Sequence, residues 1–138
     1  MKMLEPGTHI DGFTIGECLH AGGMAHIYRV QYTDESMREP FSMAMKVPRM
    51  TGGDGAENIV GFEVERQILP ALTGSHVPRF VAAGDLDQLP YIVMEYVEGQ
   101  TLQHRLDESG EPVSPAEIAR LGAAVSQAVH SLHLQNTC

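Results

Sequence analysis

A lone lysine in the middle of an apolar strand constrains this chain more than any other feature. In Phe41-Ser-Met-Ala-Met-Lys46-Val-Pro48, Phe41, Met43, Met45 and Val47 alternate with Ser42, Ala44 and Lys46. A period of two reads as a strand with one apolar face. The other face carries a small residue and, two positions on, an ammonium group. Burying that group is costly without a negative partner. Taken alone, the stretch fits either an edge-strand lysine that snorkels to water or a strand built around an ion pair.

A chain of 138 residues supports one ordinary core. The net charge is −9 and the nine basic residues are scattered, which argues against nucleic acid or an anionic membrane surface as partner. A basic substrate peptide suits it better. Cys18 and Cys138 lie far apart, so neither a disulfide framework nor metal-ligand spacing is expected. His9, His26, His76, His104 and His130 likewise show no metal spacing. No apolar run is long enough to span a membrane, and the start Met-Lys-Met-Leu-Glu-Pro is no signal peptide. The expected location is a reducing cytoplasm.

In chain order, strands are predicted over 10–19 and 26–32, joined by the turn His20-Ala-Gly22-Gly23-Met-Ala25. After a polar loop over 33–40 comes the Lys46 strand, then a flexible loop over 51–56. A helix is predicted from Glu57, with Ile59, Phe62, Ile68, Leu69 and Leu72 on one face. Glu65 falls within or beside that face, as a candidate partner for Lys46 or as an ordinary solvated glutamate. Strands at 79–84 and 91–97, around a turn at 85–88, bring the total to five. A short helix starts at 101–106 and a loop covers 107–112. Ser114-Pro115-Ala-Glu117 joins a capping box to proline at the first helical position. Ile118, Leu121, Val125, Ala128, Val129 and Leu132 then form a long apolar stripe. The expected class is α+β: a five-stranded antiparallel sheet with one helix packed on it, followed by further helices. A dinucleotide-binding fold is disfavoured, because the glycines sit in a hairpin and no β-α-β unit follows them.

The order of glycine hairpin, Ala44-Met-Lys46 strand, helix with Glu65, two more strands and Met94-Glu-Tyr-Val-Glu-Gly99 resembles the N-terminal lobe of the Ser/Thr protein kinases, particularly the bacterial eukaryotic-like branch. The resemblance covers residues 10–138 and rests on ordered spacing rather than on any single motif. It implies an N-lobe over 1–97 with a hinge at 94–99, and the start of a C-lobe over 100–138. It implies ATP as ligand, with Mg²⁺ and a protein substrate in the full-length parent. Leu19 and Ile27 would roof the adenine, and Gly22 and Gly23 would let backbone approach the phosphates. Ala44 would leave room for the purine. Lys46 would contact the α- and β-phosphates and pair with Glu65. The adenine would be read by the Glu95 carbonyl and the Val97 N–H, with Met94 at the back of the pocket. Thr101 lies near the ribose position, and His76-Val-Pro78 matches the turn after the glutamate helix. His133 matches a structural histidine of the family's long C-lobe helix.

The chain departs from the family at the glycine turn. His20 stands at the first glycine position and Ala25 at the third, so only Gly22 matches. The family's His-Arg-Asp catalytic loop and Asp-Phe-Gly metal site do not occur in residues 1–138. The resemblance therefore implies that this chain as it stands does not transfer phosphate efficiently. A pseudokinase-like lobe that serves protein contacts remains the alternative reading. The stripe along 115–133 is expected to need a cover, and self-association through that helix is one way to supply it.

Overall fold

The computed structural model describes residues 3–50, 55–84 and 89–135. The expected turn at 85–88, most of the expected loop at 51–56 and the last three residues lie outside these. The class is α+β, as expected, but the antiparallel sheet has six strands rather than five, in the order β1-β2-β3-β4-β6-β5. The strands are β1 (His9–Ile10), β2 (Phe13–Ala21), β3 (Ala25–Tyr32), β4 (Met43–Pro48), β5 (Phe80–Ala83) and β6 (Ile92–Glu95).

The extra strand, β1, comes from a turn that the predicted strand over 10–19 ran straight through. Asp11 (φ 48°) and Gly12 (φ 87°) both take the left-handed region, folding His9–Ile10 back onto Phe13–Thr14. An Asp-Gly pair favours a tight two-residue hairpin of this hand. Beyond it, β2 carries register shifts between Ile15 and His20 and extends to Ala21. The turn before β3 is consequently tighter than expected, closed by the Gly22 N–H donating to the Ala25 carbonyl at 3.0 Å.

Alternation along β4 is as read. Met43, Met45 and Val47 enter a core with Phe13, Ile15, Tyr28, Val30, Tyr91 and Val93. The strand begins at Met43, so Phe41 and Ser42 fall outside it. On the other face lies α1 (Gly55–Ile68), covering a second cluster of Phe62, Leu69 and Ile92 edged by Phe80 and Met94. Gly55, Asn58 and Phe62 are buried within the helix and Leu69 just beyond it, with Ile59, Glu65 and Ile68 half-buried. The inward face therefore follows the expected apolar positions, with Glu65 on it and Asn58 as an unexpected buried amide. The helix starts two residues earlier than predicted and gives way at Leu69 to a single tight turn over Leu69–Ala71, where Pro70 supplies no N–H.

The second half is helical. In α2 (Leu102–Ser109) the Thr101 hydroxyl accepts from the His104 N–H, and Gly110 closes the end at φ 61°. The helix thus runs three residues into the expected loop. In α3 (Pro115–His133) the Ser114 hydroxyl accepts from the Glu117 N–H at 3.2 Å, as the capping box predicts. Arg105 and Glu117 pair between the two helices. Gln135 exchanges bonds with the Thr73 backbone, accepting from its N–H at 2.8 Å and donating to its carbonyl at 2.9 Å, which ties the end of α3 to the turn after α1. No α3 side chain is buried.

One close contact locks β6 to the start of the sheet. The Tyr91 hydroxyl donates to Asp11 at 2.7 Å across 80 residues of sequence, and burial together with this carboxylate pushes the phenol well above its ordinary range. The ring lies flat against Gly84, where an added Cβ would fall 2.2 Å from the Tyr91 ring and 2.8 Å from the Leu89 carbonyl. Gly84→Ala is expected to destabilise the protein by about 2 kcal/mol through this overpacking. A lowered urea midpoint at unchanged slope is the predicted reading, and an unchanged midpoint would contradict the contact.

Candidate functional site

Cross-strand register sorts the sheet's side chains into two faces. Tyr28, Met45 and Val93 are opposite one another and enter the main core. The rows on either side of this one point the other way. One is His20, Ile27, Lys46 and Ile92; the other is Arg29, Ala44 and Met94. The face that carries Ile92 and Met94 is the one that α1 covers. The register therefore gathers His20, Ile27, Ala44, Lys46 and Met94 on one side of the sheet beside α1.

Lys46 Nζ meets Glu65 Oε2 at 2.8 Å, with the side chains 30% and 35% exposed. That exposure places the pair between two limits. Fully exposed pairs contribute about 0–1 kcal/mol, and wholly buried ones barely offset their desolvation. The pair chiefly holds geometry: it extends the ammonium off β4 and fixes which face of α1 turns inward.

The glycine turn is held from beneath. The Arg49 N–H donates to the Met24 carbonyl at 2.9 Å, and its guanidinium donates to the Gly22 carbonyl at 3.2 Å. Asn58 on α1 in turn donates to the Arg49 carbonyl at 3.3 Å. Turn, Arg49 and α1 thus form one chain of bonds that sequence reading missed. Its only sequence signal is the spacing of Asn58, Phe62, Glu65 and Leu69, which aligns a buried amide with the inward carboxylate. At Gly22 an added Cβ would sit 2.6 Å from His20 Nε2, so that ring would have to swing away, whereas Gly23 has nothing within 4 Å. Ala25 is buried. Leu19 and Ile27 are half-buried, and neither belongs to a core cluster.

Below the turn, the buried His26 Nδ1 shares a hydrogen bond with the Tyr28 hydroxyl at 3.3 Å, and that hydroxyl also accepts from the Leu4 N–H at 3.0 Å. Burial first, then the nearby Arg49 charge, hold the His26 pKa below the ordinary histidine value.

The end of β6 is fixed by alternate backbone bonds. The Glu95 N–H donates to the Arg79 carbonyl and the Tyr96 N–H to the Ser42 carbonyl, at 2.7 and 2.8 Å. Glu95 also accepts from the Arg79 N–H through its side chain, at 3.3 Å. Val97 is 68% exposed, and its N–H has no acceptor among the described residues. Arg29, which the sequence analysis passed over, spans the roof and this segment. It reaches Glu17 at 3.1 Å and Glu98 at 3.7 Å, with its guanidinium 5.1 Å from the Tyr96 ring centre. Among the described residues no three His, Cys, Asp or Glu side chains gather to hold a metal ion.

The site is thus a half-enclosed face with one fixed ammonium, a small residue beside it, a glycine turn above and a free backbone donor at its edge. Such a face suits a flat ring with an anionic tail.

The model of the protein tyrosine and serine/threonine kinase family matches residues 13–138. Serine/threonine-protein kinase PrkC of Bacillus subtilis is 30% identical over 128 residues, covering 92% of this chain and 19% of the relative. PknB of Mycolicibacterium smegmatis is 29% identical over 135 residues, covering 95% and 21%. The chain spans about a fifth of the length of these curated relatives. The crystal structure of the Mycobacterium tuberculosis PknI kinase domain superposes with a TM-score of 0.74 at 25% identity, over 96% of this chain and 52% of that one.

A double-mutant cycle of Lys46→Met and Glu65→Gln tests the pair in solution. The expected coupling is on the order of 1 kcal/mol in unfolding free energy. A coupling of zero would contradict this expectation.

Proposed function

The chain belongs to the protein tyrosine and serine/threonine kinase family, and from that premise we propose that residues 1–138 are the ATP-binding portion of a protein serine/threonine kinase. The observation that carries this reading is the Lys46–Glu65 pair at 2.8 Å on the face that also bears Ala44 and Ile27. In this reading residues 1–97 are the N-lobe, 94–99 the hinge and 100–138 the start of the C-lobe.

Each part has a physical role. Ala44 leaves space for the purine between Leu19 and Ile27 above and Met94 behind. The Glu95 carbonyl accepts from the exocyclic amine, and the Val97 N–H, free among the described residues, donates to the ring nitrogen. Lys46 neutralises charge on the α- and β-phosphates, and Glu65 keeps the ammonium extended toward them. Gly22 and Gly23 let backbone approach the phosphates. No described set of carboxylates suits Mg²⁺, so no step through the metal is assigned to these residues.

Transfer of the γ-phosphoryl group to a protein serine or threonine is proposed for a full-length parent. The relatives named as serine/threonine kinases support it. No helix among the described residues is long and apolar enough to cross a membrane, and we place this portion in the cytoplasm. On α3, Ile118, Val125 and Val129 are 59%, 50% and 42% exposed. That stripe supports the proposal of self-association through 115–133 when nothing else covers it.

A second reading, a pseudokinase-like interaction lobe without efficient catalysis, draws on one feature. His20 replaces the first glycine, and the Gly22 N–H is already bonded to Ala25. The intact lysine–glutamate pair favours the first reading.

Calorimetry with a non-hydrolysable ATP analogue separates the two. Binding by the wild type, weakened at least tenfold in Lys46→Ala by loss of a charge-assisted bond, is the expected outcome. Equal binding by both, or none by either, would overturn the proposal.

A further inference from the structure

We propose that the His20 imidazole is a nucleotide-phosphate contact that supplies a donor which the glycine turn does not. The proposal rests on the ATP-site reading above and adds a residue to it. Three observations converge. First, register places His20 on the same face and in the same row as Ile27 and Lys46, so its side chain emerges on the side of the sheet that carries the ammonium. Second, the ring folds over the turn: an added Cβ at Gly22 would lie 2.6 Å from Nε2 and 3.2 Å from Cδ2. The tip of the imidazole therefore stands where a phosphate following the turn's backbone would come. Third, the turn has lost a donor, because the Gly22 N–H is bonded to the Ala25 carbonyl at 3.0 Å.

The surroundings suit an anion. His20 is exposed, and its ring makes no hydrogen bond to any described residue, so an imidazole N–H is available. The charged and titratable groups nearest the turn are Arg49, bonded to the Gly22 carbonyl, and the buried His26. No carboxylate is paired with Arg49 among the described residues. In a chain of net charge −9 this is a locally positive corner. Replacing the first glycine thus exchanges a backbone approach for a side-chain donor reaching the same phosphate.

Binding of adenosine and of a non-hydrolysable ATP analogue, measured side by side, tests the proposal. His20→Ala is expected to weaken the analogue about tenfold, the size of one charge-assisted hydrogen bond, and to leave adenosine unchanged. His20→Gln, which keeps an N–H donor, should recover most of the loss. A His20→Ala variant that binds the analogue as well as or better than wild type would show that the ring does not contact phosphate. Equal losses for both ligands would show that it only shapes the turn. Either result overturns the inference while leaving the ATP site standing. Wild type that binds neither ligand would overturn the ATP-site reading and this inference together. Because His20 is exposed, the variants should fold, and unchanged melting temperatures would check this.

Discussion

One ion pair sets the terms for the rest of the molecule. Lys46 lies in a strand whose neighbours Met45 and Val47 are fully buried. An ammonium there must either find an anion or reach water. It finds Glu65, and that choice dictates which side of α1 faces the sheet. The helix consequently turns Asn58 and Glu65 inward together with Phe62 and Leu69. Apolar burial at Phe62, Leu69 and Ile92 holds the helix down, and the polar positions aim it. The pair is worth little as net stability because both side chains remain about a third exposed. Its value lies in leaving one charge extended at a defined place.

Two arginines extend this logic to the edges of the site. Arg49 holds the glycine turn by two carbonyls and is itself held by Asn58, so the turn and α1 are linked through one residue directly after β4. Arg29 fastens the roof strands to the segment after β6 through Glu17, Glu98 and the Tyr96 ring. The two differ in strength. Arg49 bonds to backbone in a partly buried setting, whereas Arg29 makes exposed ion pairs that salt screens. Opening between β2–β3 and the segment after β6 should therefore cost less than release of the glycine turn.

Much of this was legible in the sequence. The alternation around Lys46 identified both its strand and the face on which Ala44 lies. The capping box at Ser114–Glu117 located α3 to the residue. Other features were hidden for physical reasons. The Asp11-Gly12 turn was overlooked because the strand before it, His9–Ile10, is too short to show any alternation, although an Asp-Gly pair is itself a hairpin signal. The buried Asn58 on α1 was hidden because a periodicity argument counts apolar residues. Arg49 and Arg29 could not be read at all, and Asn58 only as a spacing with Phe62, Glu65 and Leu69. Their partners are backbone carbonyls or residues many positions away, and only the folded register brings them together. Whether α1 sits close enough for Glu65 to reach Lys46 is likewise a property of packing, not of pattern.

The most direct test of the central claim uses the chain's own scarcity of lysine. It has two, Lys2 and Lys46. An acyl-phosphate derivative of ATP transfers its acyl group to an amine held beside the bound phosphates, and mass spectrometry then reports which lysine carries it. If Lys46 is held toward a nucleotide as described, it should be acylated in preference to Lys2, and excess ATP should block the reaction. Equal labelling of both lysines, unaffected by ATP, would contradict the account.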